Sequence, residues 1–362
     1  MPRRLRRGFW WLLGNKRVCH YNMSKMLRTF VAPNHPNINQ TLLVDLKAVL
    51  LEKIRQNGGW VNAHAHLDRA YTLTEDNFRY INAHLKDKWH LIDTMKREMS
   101  VDNIYDRMAR ATEFFVAQGC QAIGTFIDVD EVIEDKAIIA SQRLRERFKG
   151  SIEIKFVNQV LKGVIEPRAR HWFDIAVQFV DIIGGLPAKD AGHEGEHLDV
   201  LLSTGKALNK WVHVHIDQFN SADEKETELL ARKTIEHGMQ GKVAGVHGIS
   251  LAAHPLVYRR EVYHLLKEAN VAMIACPLAW IDHTRNERLA PSHNSITPID
   301  ELIPAGVTVA LGTDNIADIY KPFSDGDMWI ELRLLLESCR YYHPEDLVEL
   351  ATTNGLKVLG LK

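Results

Sequence analysis

The sequence predicts an α/β fold, a (β/α)8 TIM barrel, on three observations. Eight short runs rich in apolar and β-branched residues recur between residues 60 and 314. Most are separated by longer segments with apolar residues at helical spacing. Most of the runs end in a polar, chemically capable group: His64 and His66, Asp128, Gln159, His215, His247 and Asp314. A barrel gathers the C-terminal ends of its strands at one mouth, where active sites form. A doubly wound open sheet is the runner-up, but it would spread these groups along an edge.

In chain order, residues 1–57 read as an N-terminal extension and residues 58–362 as the barrel. The start, MPRRLRRGFWWLLGNKRVCHYN, has arginines followed by an apolar run, FWWLL. That run is too short for a signal-peptide core and far too short to span a bilayer. Residues 1–22 therefore read as a disordered tail or an upstream translation artefact, with a membrane-surface anchor as the alternative. The stretch TLLVDLKAVLLEKIRQNGG reads as a helix ending at Gly58.

The expected strands are WVNAHAH (60–66), QAIGTFID (121–128), IEIKFVNQ (152–159), FVDIIGGL (179–186), WVHVHID (211–217), KVAGVHG (242–248), VAMIACP (271–277) and VTVALGTD (307–314). The expected helices include 135–148, 193–210, 224–238 and 259–270. In the last, Val262, Leu265, Leu266 and Ala269 share a face and Asn270 is a stop. Residues 67–108 form a long connection after the first strand, placed to wall the mouth. KREMSVDNIYDRMARATEFF (96–115) reads as one amphipathic helix.

The chain has 362 residues, 46% hydrophobic and 25% charged, which is globular composition. A formal net charge of −1 provides no basic field for nucleic acid or an anionic membrane. Four widely spaced cysteines argue against a disulfide framework and fit a cytoplasmic setting. Eighteen histidines are the unusual feature.

His64-x-His66 would point two imidazoles to one face of a strand, an arrangement suited to one divalent ion. His213-x-His215 repeats that spacing. For His247 alone a satisfied core histidine would suffice, and for Asp314 a helix cap. Taken together, H-x-H on the first strand, His on the fifth, His on the sixth and Asp on the eighth form one ordered set.

That set resembles the amidohydrolase superfamily, nearest the bacterial cytosine deaminase branch with its N-isopropylammelide hydrolases. NAHAHLDRAY is similar to the branch's H-x-H-x-D opening, FVNQVLKG to its F-P-Q-E-G, HVHIDQFN to its H-x-D-E and AGVHG to its catalytic-histidine segment. CPLAWIDHTR is similar to N/C-P-L, and GVTVALGTDNIADIYKPF to G-x-D-D-x-x-D-x-W-Y-P. The resemblance implies one zinc or iron ion held by His64, His66, His215 and Asp314. It implies Asp314 and His247 as catalytic groups, Gln159 on the substrate's amide edge, and Tyr320 at a pocket position that is often tryptophan. It also allows a homo-oligomer. Trp280 could stack on a planar ring.

Two departures stand out. Gln218 occupies the place of the branch's glutamate, which protonates the ring nitrogen, and an amide cannot be a general acid. Most of the flanking β-sandwich of the superfamily is also missing. The expected function is metal-dependent hydrolysis of a C–N bond in a small planar nitrogen heterocycle, by deamination or by ring or amide cleavage. The alternatives are a cytosine-deaminase-like enzyme of shifted range and a catalytically impaired metal-binding barrel.

Overall fold

The computed structural model describes residues 45–81, 83, 85–280 and 296–362. The basic start and the FWWLL run lie outside the described residues, as do Arg285 and Arg288. The chain divides into units 1–49 and 50–362. Only residues 45–49 of the first are described, and they begin the helix α1, Leu46–Gln56.

The second unit is a parallel sheet of eight strands in sequential order: β1 (Trp60–Ala65), β2 (Cys120–Asp128), β3 (Glu153–Gln159), β4 (Ile182–Gly185), β5 (Trp211–Ile216), β6 (Val243–His247), β7 (Ala272–Ala275) and β8 (Val309–Leu311). All eight fall inside, or within one residue of, the expected runs. Helices cover the outside of the sheet, so its strands are apolar on both faces. Every residue of β1 is buried. Among the described residues there is no second sheet.

Two features close and fill the cylinder. A parallel bridge between Ala65 and Asp314 joins β1 to the segment after β8. The thin lower core, with Val61, Phe126, Val157 and Ile182, is plugged by Leu359 from the C-terminal segment. Inside β4, a Cβ on Gly184 would sit 1.9 Å from the carbonyl oxygen of Asn158, so only glycine admits that approach of β3 and β4.

The connection after β1 departs from expectation in one respect. Residues 96–115 are not one helix. They span the end of α2 (Leu85–Glu98) and most of α3 (Val101–Ala117). Ser100 breaks the run because its hydroxyl accepts the Asn103 N–H and caps α3. The connection is pinned to the mouth as expected. Lys96 on α2 is 1% exposed, and its Nζ lies 3.0 Å from Asp128 and 2.6 Å from Asp130, at the end of β2. Arg107 on α3 donates to the carbonyl oxygens of Asp68 and Ala70.

A buried lysine between two carboxylates is costly to unpair. Lys96→Met should lower the free energy of unfolding by about 3–5 kcal/mol, read from urea denaturation. A loss under about 1 kcal/mol would mean that the pair does not anchor the connection.

Candidate active site

β1 presents His64, and just past its end His66, to the barrel interior at strand spacing. Below them packs Phe126 of β2, whose ring centroid lies 4.9 Å from that of His64 and 4.5 Å from that of His215. The segment after β8 delivers Asp314. Its Oδ1 lies 3.3 Å from His64 Nε2 and 3.1 Å from His66 Nε2. Its Oδ2 lies 3.9 Å from His247 Nε2 at the end of β6.

Backbone bonds set this geometry. The His64 carbonyl oxygen accepts the N–H groups of Thr313 (2.9 Å) and Asp314 (3.0 Å), and the Asp314 carbonyl oxygen accepts that of His66 (3.2 Å). Asn62, buried on the same strand, accepts the Thr313 N–H and donates to its hydroxyl. His247 (φ 76°) and Asp314 (φ 61°) both adopt the left-handed conformation, which is costly for such residues and concentrates at functional sites. Sequence reading missed Asn62 and Thr313; their polarity inside an apolar run was the available signal.

β5 separates the two histidines of its motif by one layer. His215 is in the upper layer, with its centroid 5.4 Å from that of His247. His213 lies lower and donates through Nε2 to the Val358 carbonyl oxygen at 2.9 Å, tying β5 to the C-terminal plug. Asp217 is not part of the cluster. Its carboxylate accepts the N–H groups of Glu226 and Thr227 and so caps the following helix, Glu226–His237. The next residue, Gln218, is buried, and its amide Nε2 has no partner. Its own N–H, like that of Phe219, is held by Glu224.

Burial keeps three of these imidazoles neutral. It drives His66 and His215 well below the usual histidine range and His247 down to about 3. Burial alone would raise Asp314, but the His64 and His66 imidazoles, 3.3 Å and 3.1 Å from its Oδ1, hold it well below the carboxylate range. Neutral imidazoles beside an ionised carboxylate are a metal-ligand set.

The donor geometry fits a divalent ion. His64, His66 and Asp314 bring ligand atoms within 4.8 Å of one another, as do His64, His215 and His247. His215 Nδ1 donates to the Gly185 carbonyl oxygen at 3.2 Å, which fixes the tautomer and leaves Nε2 a buried lone pair without a partner. Both ring nitrogens of His64 are likewise buried without a hydrogen bond. His66 is the exception: Arg69 Nη2 donates to its Nδ1 at 2.5 Å.

The remaining expected residues occupy the rim. Gln159 is in register with Asp128, and its Oε1 accepts the Val160 N–H. Tyr320 lies in the loop after β8, under the Arg69 guanidinium, with its hydroxyl buried and unpartnered. Trp280 ends the short helix Pro277–Trp280, and its side chain lies outside the described residues. Sequence reading gave Arg69, Lys96 and Glu331 no role. Glu331 is fully buried and accepts the Leu278 N–H, which fastens the loop after β7. An isolated charge in a polar stretch carries no sequence signal of burial.

The model of the Amidohydrolase family matches residues 58–362. A 262-residue alignment with an uncharacterised Haemophilus influenzae protein is 51% identical, covering 71% of this chain and 95% of that protein. N-isopropylammelide isopropyl amidohydrolase of Pseudomonas sp. is 24% identical over 333 residues, 84% of this chain and 74% of that enzyme. Among solved structures, 5-methylcytosine deaminase of Klebsiella pneumoniae superposes with a TM-score of 0.77 at 22% identity, covering 83% of this chain and 74% of that one. No helix among the described residues is long and apolar enough to cross a membrane.

The buried titratable groups predict a pH window for the metal-free fold. His213, which burial lowers from 6.5 to about 4, and His247 favour the neutral form when folded. Their contribution is complete above pH 6.5 and is lost as the pH falls through their folded values. Burial and the Asp217 charge raise Glu226 from 4.5 to about 8, so its contribution is lost as the pH rises toward 8. The melting temperature of chelator-treated protein should fall on both sides of this window. Glu226→Gln, which keeps the acceptor for the Asp217 N–H, should flatten the alkaline limb; an unchanged limb would refute the assignment.

Proposed function

The chain belongs to the amidohydrolase family, and from that premise we propose that it hydrolyses a C–N bond in a small planar nitrogen heterocycle or cyclic amide. The observation that carries this reading is the Asp314 carboxylate set against His64 and His66, beneath the partnerless Nε2 of His215. These four residues would hold one zinc or iron ion. Such an ion supplies Lewis acidity, which makes water a nucleophile near neutral pH.

The protein's groups divide the remaining work. Asp314 is ionised at neutral pH, so it can take the attacking water's proton and pass it to the leaving nitrogen. His247, neutral and 3.9 Å from that carboxylate, orients the water and polarises the attacked group. Gln159, with its Oε1 engaged, offers its amide N–H groups to the ring edge. Tyr320 lines the ring's position. The cytoplasmic setting is part of the same reading and rests on cysteine usage.

Gln218 shapes the substrate range. Where the resembling enzymes carry a glutamate, this chain can donate a hydrogen bond but not a proton. Substrates whose attacked carbon needs no ring protonation, such as lactams and cyclic amides, are therefore favoured over cytosine. Catalytic impairment is the weaker reading, because His247 and Asp314 keep strained backbone conformations that a bare scaffold has no need to maintain.

Two outcomes are expected. Purified protein should carry one zinc or iron per chain by elemental analysis, and His66→Ala should lose most of it; wild-type protein that takes up no stoichiometric metal overturns the reading. Gln218→Glu should gain cytosine deamination, measured as ammonia release. Losing a general acid costs ~10²–10⁴ in rate, so the gain should be of that order.

A further inference from the structure

Arg69 is a buried cation whose fork is only partly met. It is 4% exposed and lies three residues after His66. Its Nη2 donates to His66 Nδ1, but its Nε is buried without a partner. The nearest carboxylate oxygen, Asp128 Oδ2, stands 4.0 Å from that Nε and is already paired with Lys96 at 3.0 Å. A guanidinium is all donors, and an unmet buried donor is expensive.

The one acceptor that Arg69 has among the described residues is also conditional. His66 Nδ1 can accept only while the ring proton sits on Nε2. A ring that gives Nε2 to a cation carries its proton on Nδ1, and two donors would then face each other. Arg69 would need an acceptor from elsewhere.

We infer that this acceptor is a ring oxygen of the substrate, and that Arg69 is the residue selecting oxo-substituted heterocycles over amino-substituted ones. This rests on the hydrolase reading above. Tyr320 supplies the same kind of group. The Arg69 guanidinium carbon lies 5.4 Å from the centre of the Tyr320 ring, whose hydroxyl is buried and unpartnered. Gln159 has spent its Oε1 on Val160 and keeps its N–H groups. The Gln218 Nε2 is a further buried amide donor without a partner. A carbonyl or ionised imide oxygen can accept from the Arg69 fork, whereas an amino group in the same place would set donor against donor at Arg69.

The test is calorimetric titration of zinc-loaded protein with barbiturate, a planar ring bearing only oxygens, and with 2,4-diaminopyrimidine, which bears amino groups. Wild type should prefer barbiturate. Arg69→Met should weaken barbiturate binding by roughly 10- to 100-fold, leave the diamine unchanged and keep one zinc per chain. Arg69→Lys should recover part of the barbiturate affinity, because the charge remains without the fork. A metal-loaded Arg69→Met protein that binds barbiturate like wild type overturns the inference. So does a wild type that prefers the diamine or binds neither ring. Loss of zinc from Arg69→Met would instead assign Arg69 to orienting His66, which also overturns it. Should Arg69→Met not fold, Arg69→Lys decides, since wild-type barbiturate affinity there refutes a role for the fork. Binding requires no turnover. Selectivity without C–N cleavage would sink the hydrolase reading alone, and cleavage with an indifferent Arg69 would sink this one alone.

Discussion

The seam that closes the barrel is also the framework of the candidate metal centre. The His64 carbonyl oxygen takes the N–H groups of Thr313 and Asp314, and the Asp314 carbonyl oxygen takes that of His66. The bonds that join the last strand to the first therefore place one carboxylate between two imidazoles. Asn62 stitches the same seam with its side-chain amide. Gly312 lies beside it because a Cβ there would come within 2.7 Å of His64 Cβ and 3.0 Å of Cys276 Sγ. The seam continues past the strands, where Tyr71 and Leu73 donate to the carbonyl oxygens of Ile316 and Ala317. Displacing β8 by one residue would remove Asp314 from its partners and open the cylinder at once.

Around this seam the barrel buries more charge than a stable core requires. Burial makes His66, His215 and His247 neutral, and the imidazoles set against Asp314 keep its carboxylate ionised. Nearby, Lys96, Asp128, Asp130 and Arg69 form a second charged group at the end of β2. Hydrophobic replacements would cost less than such groups, so their presence points to work at the mouth. Glu331, by contrast, is raised well above the carboxylate range by burial and stays neutral while fastening the loop after β7.

Gln218 separates the metal site from the substrate question. His215 and Gln218 are three residues apart, but their environments differ. His215 is on the strand with its tautomer set by Gly185. Gln218 lies beyond the left-handed turn at Asp217, in a loop held by Glu224. A change of residue type at 218 can thus alter proton delivery without moving a ligand atom. One framework can therefore host different chemistries through its loops.

The sequence by itself determined the barrel, the order of its strands and the ligand candidates. A parallel strand covered on both faces must be apolar, so polar residues at its end are conspicuous. His64, His66, His215, His247 and Asp314 were all legible this way. The break at Ser100 was not, because the amphipathic pattern runs through it and only the cap stops the helix. Nor could spacing say which histidine of 213 and 215 faces the centre. That depends on barrel depth, where Val358 takes one and Gly185 orients the other. Only the tertiary structure brought Arg69, Lys96 and Tyr320 together, because the burial of a lone charged or phenolic side chain depends on chain segments distant in sequence.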